Sequence, residues 1–380
     1  GGHKECKREP VRAKGPGGKG LLTGIVELSC RVGTTCALRN DGTVLTWGLG
    51  AGGQLGNGAA RSSALPVEVK GLKDVVAVAA GHTHCLALRK DGTVWAWGLN
   101  DRGQLGNGSS VEQSAEPVQV KDPEGKGALG NVTGIAAGVG HCLALQKDGT
   151  VLAWGENVVG QVGDGTLTDR FLPVKVEGIK DAVSVGAGYY NSLVTCKDGS
   201  LWGWGYNVFG QLADGSTVDR YRPVRAKGPD GKAFITNAAR AVGGSLHTLI
   251  LLKDGTLLAC GSNHFCQLGN GKPCGRQILP VQVRAHESEG PIKDVIDMDG
   301  GSVHSVAATK DGKVYCWGDN YRGQIGSNVP GSGWAFEGKF VDYEKGRGDK
   351  IYKKGALKVS GVPWPWPVKL PPAASATEKK

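Results

Sequence analysis

The sequence predicts an all-β chain folded as a β-propeller of four-stranded antiparallel blades, and three observations predict it. A module recurs six times, each copy holds an Asp-Gly pair between two apolar runs, and the run after that pair is apolar on both faces. Aligned on Trp-Gly, the copies fall at Trp47, Trp97, Trp154, Trp204, Cys260 and Trp317, separated by 50, 57, 50, 56 and 57 residues. A period of this length is the mark of a repeat architecture.

Each part of the module has a physical reading. Asp-Gly stands at 41–42, 91–92, 148–149, 198–199, 254–255 and 311–312. Between apolar runs it is the strongest short-range signal for a hairpin, because Gly accepts positive φ. In the following run Val44, Val94, Val151, Leu201, Leu257 and Val314 share one face, while Trp95 with Trp97 and Trp202 with Trp204 line the other. A sheet buried on both faces has to be sandwiched between others, and large side chains against small ones let the layers interdigitate. Next come GQLG 53–56, GQLG 103–106, GQVG 160–163, GQLA 210–213, CQLG 266–269 and GQIG 323–326. Pro66, Pro117, Pro173, Pro223 and Pro280 then start an outer strand, where a missing N–H costs little. Four strands per copy stacked around an axis give the propeller.

Composition agrees. The 380 residues include 64 glycines, ten tryptophans and one methionine, which suits many tight turns between aromatic-rich strands. The longest apolar run, Val75–Ala80, falls short of the roughly 18–20 residues that cross a bilayer, so a soluble chain is expected. The chain begins at Gly1 and its one Met is Met298, which points to a removed leader or to trimming. Net charge is +10, but residues 1–20 hold six basic against two acidic residues and residues 339–380 hold ten against four. The body between them is neutral and gives no bulk support for nucleic acid or an acidic membrane as ligand. The basic tails suit anions, although a solvated tail is the commoner outcome.

"PVRAKGPGGK" at 10–19 repeats "PVRAKGPDGK" at 223–232 in nine of ten positions. The N-terminus is therefore the end of a module whose start is missing, and Pro10–Lys14 is expected to lie as an outer strand beside the last blade. The predicted organisation is a closing segment at 1–24, a propeller at 25–326 and an extension at 327–380 with a basic tail. Six blades are favoured over seven. Trp334, Phe336, Trp364 and Trp366 in the extension suit a degenerate blade or a strap.

Catalytic signatures are missing: there is no G-x-S-x-G, P-loop, H-E-x-x-H, EF-hand loop or C-x-x-C. The expectation is a chain that is not an enzyme and carries no cofactor. His84, His141, His247 and His304 recur at one place in the module, where Thr34 and Asn191 stand in two others. A residue needed once per blade reads as a turn-fixing hydrogen-bond partner rather than a catalyst. Asn100, Asn157, Asn207, Asn263 and Asn320 read as left-handed turns or caps. Cys85 and Cys142 read as small, free core residues. Cys260, His264, Cys266 and Cys274 cluster within fifteen residues. A Cys266–Cys274 disulfide is the first expectation there, unlinked thiols the second and a zinc site the third. Cys30 and Cys36 are a further candidate pair, with their facing left open.

If strands alternate in direction, the G-x-x-H turns and GQLG connections share one end and the Asp-Gly hairpins share the other. The first end varies from copy to copy. It carries His82, Val158, Val159, Tyr189, Tyr190, Phe209, Phe265, Tyr321 and Arg322, joined by Arg170, Phe171, Arg220 and Tyr221 in the loops after GQLG. Aromatics and Arg on rigid strands are what protein-binding hot spots are made of.

The order G-x-x-H, Asp-Gly, Trp-Gly-x-Asn and G-Q-L-G resembles the repeat of the regulator of chromosome condensation family, over about residues 25–326. Cys260 in place of Trp, Cys266 in place of the loop Gly and Gly50 in place of Asn depart from it. The resemblance implies a propeller whose last blade is closed by the N-terminal segment, usually with seven blades. It includes binding-type members such as a secreted inhibitor of β-lactamases. The expectation is thus a protein-binding scaffold that meets a macromolecular partner through the variable face. The alternative is a nucleotide-exchange factor for a small GTPase on chromatin, and a photoreceptor of the plant ultraviolet-B type is disfavoured because the repeat tryptophans lie in core strands. An extracellular or cell-envelope location is favoured over the cytoplasm.

Overall fold

A computed structural model describes residues 12–272, 275–286, 290–321 and 323–325. Among these residues the protein is all-β apart from one short 3-10 turn at Pro16–Gly18, and its sheets form six blades. Five blades have four antiparallel strands in sequential order, the sixth has three described strands, and a separate two-stranded sheet pairs Arg284–His286 with Gly290–Pro291. Blade two illustrates the plan, with strands Val75–Ala80, His84–Arg89, Val94–Leu99 and Gln113–Gln119. The first strands, Ile25–Arg31, Val75–Ala80, Val132–Ala137, Ala182–Ala187, Ala238–Gly243 and Val295–Gly300, pack against one another in succession and line the axis. Their abundance of Ala, Gly and Val follows from that crowding.

The Asp-Gly pairs make the expected hairpins. Gly92 has φ +80°, and Asp91 accepts hydrogen bonds from the amide and hydroxyl of Thr93 at 3.0 and 2.6 Å. The outer prolines do not start their strands. Pro173 lies inside Arg170–Lys175, where the ladder skips from Ala153↔Val174 to Gly155↔Arg170. With no N–H to give, proline sits in the irregular stretch of an edge strand and leaves the paired residues on either side.

One hydrogen bond repeats at the joints between blades. The indole Nε1 of Trp97, Trp154, Trp204 and Trp317 donates to the backbone carbonyl of Gln54, Gln104, Gln161 and Gln267 in the preceding blade, at 2.8–2.9 Å. All four tryptophans are fully buried. The donor of a buried indole has to find a partner, so the GQLG corner of one blade holds the wall of the next. Blade five has Cys260 at that place, with its thiol 3.6 Å from the Gln211 carbonyl. The partner corner has changed with it: Ala213 stands where the other corners have Gly. Beside a tryptophan the corner has no room, since a Cβ on Gly106 would lie 2.7 Å from Trp154 Nε1.

The expected turn-fixing role is not what the rings of His84 and His247 perform: their hydrogen bonds cross the joint between blades. His84 Nε2 lies 3.0 Å from Cys142 Sγ and His247 Nε2 lies 2.9 Å from Ser305 Oγ, each in the following blade. The glycine three residues earlier makes space for the ring: a Cβ on Gly81 would be 2.3 Å from His84 Cε1. Blade one has neither residue, carrying Arg31 and Thr34 at the two places. Burial pulls the imidazoles of His84, His141 and His247 down to about 3, so they stay neutral.

The N-terminal fragment takes its place by the same rules. Lys14 bridges to Leu21 as Lys121 does to Ala128 and Lys227 to Phe234. Those two loops stand against Leu172 and Leu279 of the next blade's outer strand through Gly125 and Gly231, and Gly18 stands against Leu65 of blade one in the same way. The fragment thus occupies, toward blade one, the position of a preceding blade's outer hairpin. Pro10 and Val11, on which the predicted closing strand depends, lie outside the described residues, as does the extension at 327–380. Blade six also meets blade one electrostatically at the axis, Asp297 facing Glu27 and Asp299 facing Arg31.

Candidate functional site

After each Trp-Gly the chain makes a two-residue tip enclosed by a fixed frame. In blades two to six the frame is an Asn before the tip and a Gln after it; blade one keeps the Gln but has Gly50 in place of the Asn. Asn157 is fully buried, accepts the Val162 amide through Oδ1 at 2.9 Å and donates through Nδ2 to the carbonyls of Thr166 and Thr168 at 3.0 and 3.1 Å. Asn100 and Asn207 make the equivalent bonds in their blades. The Gln side chain accepts the amide of the second tip residue: Arg102 to Gln104 at 2.8 Å, Val159 to Gln161 at 3.0 Å, Phe209 to Gln211 at 3.1 Å and Phe265 to Gln267 at 2.9 Å. The asparagines act as the expected caps, while the Gln side chain pins the same tip from its other end by a local bond to an amide two residues earlier.

Between these pins the chemistry changes from blade to blade: Asp101-Arg102, Val158-Val159, Val208-Phe209, His264-Phe265 and Tyr321-Arg322. Val158, Val208, Phe265 and Tyr321 are 40–68% exposed. Leu167 and Val218, in the loops that follow the corners of blades three and four, are also exposed. The G-x-x-H turns stand beside the tips, since Glu156 donates its amide to Gly140 and Tyr206 to Tyr190. The Asp-Gly hairpins lie at the other end against the linkers that enter the next blade, as Gly92 does against Asn131. The two-ended sorting expected from strand alternation is therefore present.

The predicted site residues separate into three groups. Tyr189 and Tyr190 come together with Tyr206, which sequence reasoning had missed. Their rings meet edge to face at centroid distances of 6.5 and 6.4 Å. Arg31 reaches from blade one to this cluster, its guanidinium 5.5 Å from the Tyr189 ring centroid and donating to the Ala187 carbonyl at 3.1 Å. The signal was available in the module, where Arg31 breaks the glycine column at 81, 138, 188, 244 and 301. Phe209 stacks edge to face on His264 at 5.8 Å, joining the tips of blades four and five. Tyr321 is 68% exposed and Tyr221 is 44% exposed, whereas Phe171 is half-buried.

Arg170 and Arg220 belong to a second group. Arg170 Nε donates to Asp164 at 2.6 Å and Arg220 Nε to Asp214 at 2.8 Å, each within its own loop. The carboxylates are themselves pinned by Thr166 and Ser216, and these hydrogen bonds and the Arg charges hold both below the usual carboxylate range against the opposing pull of burial. These arginines brace the loops. In the third group, Arg322 and Cys274 lie outside the described residues.

Cys30 and Cys36 correct the sequence reading, for both are unlinked. In the ladder Cys30 faces Thr35 and Ser29 faces Cys36, so the two sulfurs point to opposite faces of the sheet. The Cys266–Cys274 pairing depends on a residue outside the described ones. Among the described residues no group of three or more His, Cys, Asp or Glu could hold a metal ion, and Cys260 is fully buried, its thiol pushed up to about 12 by that burial. Among the described residues no helix is long and apolar enough to cross a membrane.

Antiparallel blades locked corner to wall, with pinned variable tips at one end, define a β-propeller of the modular repeat type. The chain belongs to the family of the RCC1-like domain, whose model matches residues 2–333. It is 32% identical over 306 residues to the ultraviolet-B receptor UVR8 of Arabidopsis thaliana, covering 80% of this chain and 67% of that one. It is 30% identical over 307 residues to the human E3 ubiquitin-protein ligase HERC2, covering 78% of this chain but 6% of that protein's length. Among solved structures, human WBSCR16 superposes with a TM-score of 0.69 at 24% identity, covering 89% of this chain and 91% of that one. Prp20p of Saccharomyces cerevisiae superposes with a TM-score of 0.66 at 23% identity, covering 83% and 77%. At those identities the two structures bear on the fold alone.

Proposed function

We propose that this chain is a non-catalytic binding propeller that takes a protein partner on the face carrying the two-residue tips. The observation that supports this reading is the contrast within the tips of blades two to five: the flanking Asn and Gln are buried and bonded, while Asp101, Arg102, Val158, Val208, His264 and Phe265 between them are exposed and the tip sequence differs in every blade. A rigid frame lowers the entropy lost on binding, and exposed aromatics on it supply contact area. Tyr189, Phe265 and Tyr321 are the residues assigned to contact, with Tyr221 at the rim; Arg170 and Arg220 support from beneath.

Affinity purification from the source cells tests this with three forms of the protein: unchanged, Tyr189→Ala/Phe265→Ala/Tyr321→Ala, and Lys90→Ala/Lys147→Ala at the opposite end. The tip variant is expected to lose at least tenfold of one or more specific partners that the hairpin variant retains. Identical recovery by all three forms would contradict the assignment of the face.

A further inference from the structure

The joint between blades one and two differs from every other joint among the described residues. At the place of Cys36 the later blades carry Leu86, Leu143, Leu193 and Leu249, and at the place of Cys85 the blades that follow them carry Cys142, Ser192, Thr248 and Ser305. At the equivalent places four joints therefore carry a leucine with a small polar or sulfur-bearing residue. The first sets Cys36 against Cys85, and the two Sγ atoms are 3.1 Å apart. Both residues are fully buried and neither is linked. Replacing a core leucine by cysteine removes volume that the packing of this fold otherwise fills, a change that ordinarily costs stability. The sulfur instead lands about 1 Å beyond the disulfide bond length of about 2.05 Å from its neighbour.

We propose that Cys36 and Cys85 form an inter-blade disulfide, a redox-dependent staple between blade one and blade two. The oxidant is a low-molecular-weight disulfide. One cysteine thiolate attacks it, forming a mixed disulfide and releasing one small thiolate. The second cysteine sulfur, losing its proton to solvent, attacks the protein sulfur of that mixed disulfide and releases the second small thiolate. The two protein sulfurs give up two electrons, and the small disulfide takes them as two thiols. In the folded protein the hydrogen bond to Cys85 and burial push the Cys36 thiol well above its usual value, which holds back the thiolate. The staple is therefore set while the blades assemble or when the joint opens, and reduction from outside is equally slow.

The test is to refold the full chain from denaturant in oxidised glutathione, block remaining thiols with an alkylating agent under denaturing conditions, and map non-reduced peptides. The expected result is a peptide pair joined through Cys36 and Cys85, two hydrogen masses lighter than its separate parts. Its thermal midpoint should lie several degrees above that of the chain refolded with reductant. Cys36→Leu, which restores the residue of the other joints, and Cys85→Ser, which copies Ser192 and Ser305, should fold and lose both the linked pair and the redox-dependent difference. Recovery of Cys36 and Cys85 as separately alkylated peptides, or of either joined to another cysteine, overturns the proposal. So does a redox-dependent midpoint that persists in Cys36→Leu.

Discussion

Gly106→Ala is expected to destabilise the protein by about 3 kcal/mol, a large effect for adding one methyl group. Gly106 has φ +58°, a conformation that costs an L-residue roughly 1–2 kcal/mol. The new Cβ would also lie 2.7 Å from Nε1 and 2.9 Å from Cδ1 of Trp154, an overpacking that adds roughly 1–3 kcal/mol. Blade five shows how the conflict is relieved: Ala213 has φ +57° and faces Cys260 rather than a tryptophan. Trp154→Cys alone should cost about 4 kcal/mol through the cavity and the lost indole hydrogen bond. The double variant Gly106→Ala/Trp154→Cys should be more stable than the sum of the two by about 2 kcal/mol, because the clash no longer exists. Urea unfolding of the four proteins measures this coupling, and strictly additive losses would show that the corner and the wall do not press on each other.

The buried histidines make stability fall as pH drops from 6.5 to 5. In the unfolded chain they take up protons near 6.5, but His84, His141 and His247 stay neutral in the fold down to about 3. The unfolded state therefore binds more protons throughout that window, and acid favours it. Glu27 acts in the opposite direction. Burial raises its carboxyl to about 7, so the fold holds a proton that the unfolded chain takes up only near 4.5, and its contribution to stability grows as pH falls. Between pH 6.5 and 5 the three histidines together cost on the order of 5 kcal/mol, of which Glu27 offsets about 2 kcal/mol. His141→Asn, which copies Asn191 at the equivalent place, should remove about 1.5 kcal/mol of that loss. Chemical denaturation at both pH values checks this, and an unchanged pH dependence in His141→Asn would contradict it.

What the sequence revealed was what recurs. Asp-Gly, Trp-Gly and the GQLG corner carry their own turn chemistry, so blade number, strand order and the two ends followed from spacing. The likeness of 10–19 to 223–232 made the loop at 14–21 legible, since Lys14 bridges to Leu21 as Lys227 does to Phe234. What stayed hidden was what depends on the neighbouring blade. The indole-to-glutamine hydrogen bonds, the histidine-to-Cys142 contact and the nearness of Cys36 to Cys85 all cross from one module to the next, and spacing within a module does not encode facing. Cys30 and Cys36 were misread because register, which the sequence leaves open, puts them on opposite faces. Arg170 and Arg220 were taken for contact residues, yet Asp164 and Asp214 stand six residues before them and bind them within the loop. Departures from the repeat proved informative when they came in pairs: Arg31 with Thr34, and Ala213 with Cys260, each change two residues that touch or share a turn.

Site-specific photo-crosslinking tests the central claim, that partners dock on the pinned tips, most directly. A photoreactive residue is placed singly at Val158, Phe265 or Tyr321 on the tip face and at Lys90 or Lys147 on the hairpin end, and the chains are irradiated in extracts of the source cells. Discrete partner adducts should arise from the three tip positions and not from the two hairpin positions. Adducts from Lys90 and Lys147, with none from the tips, would contradict it.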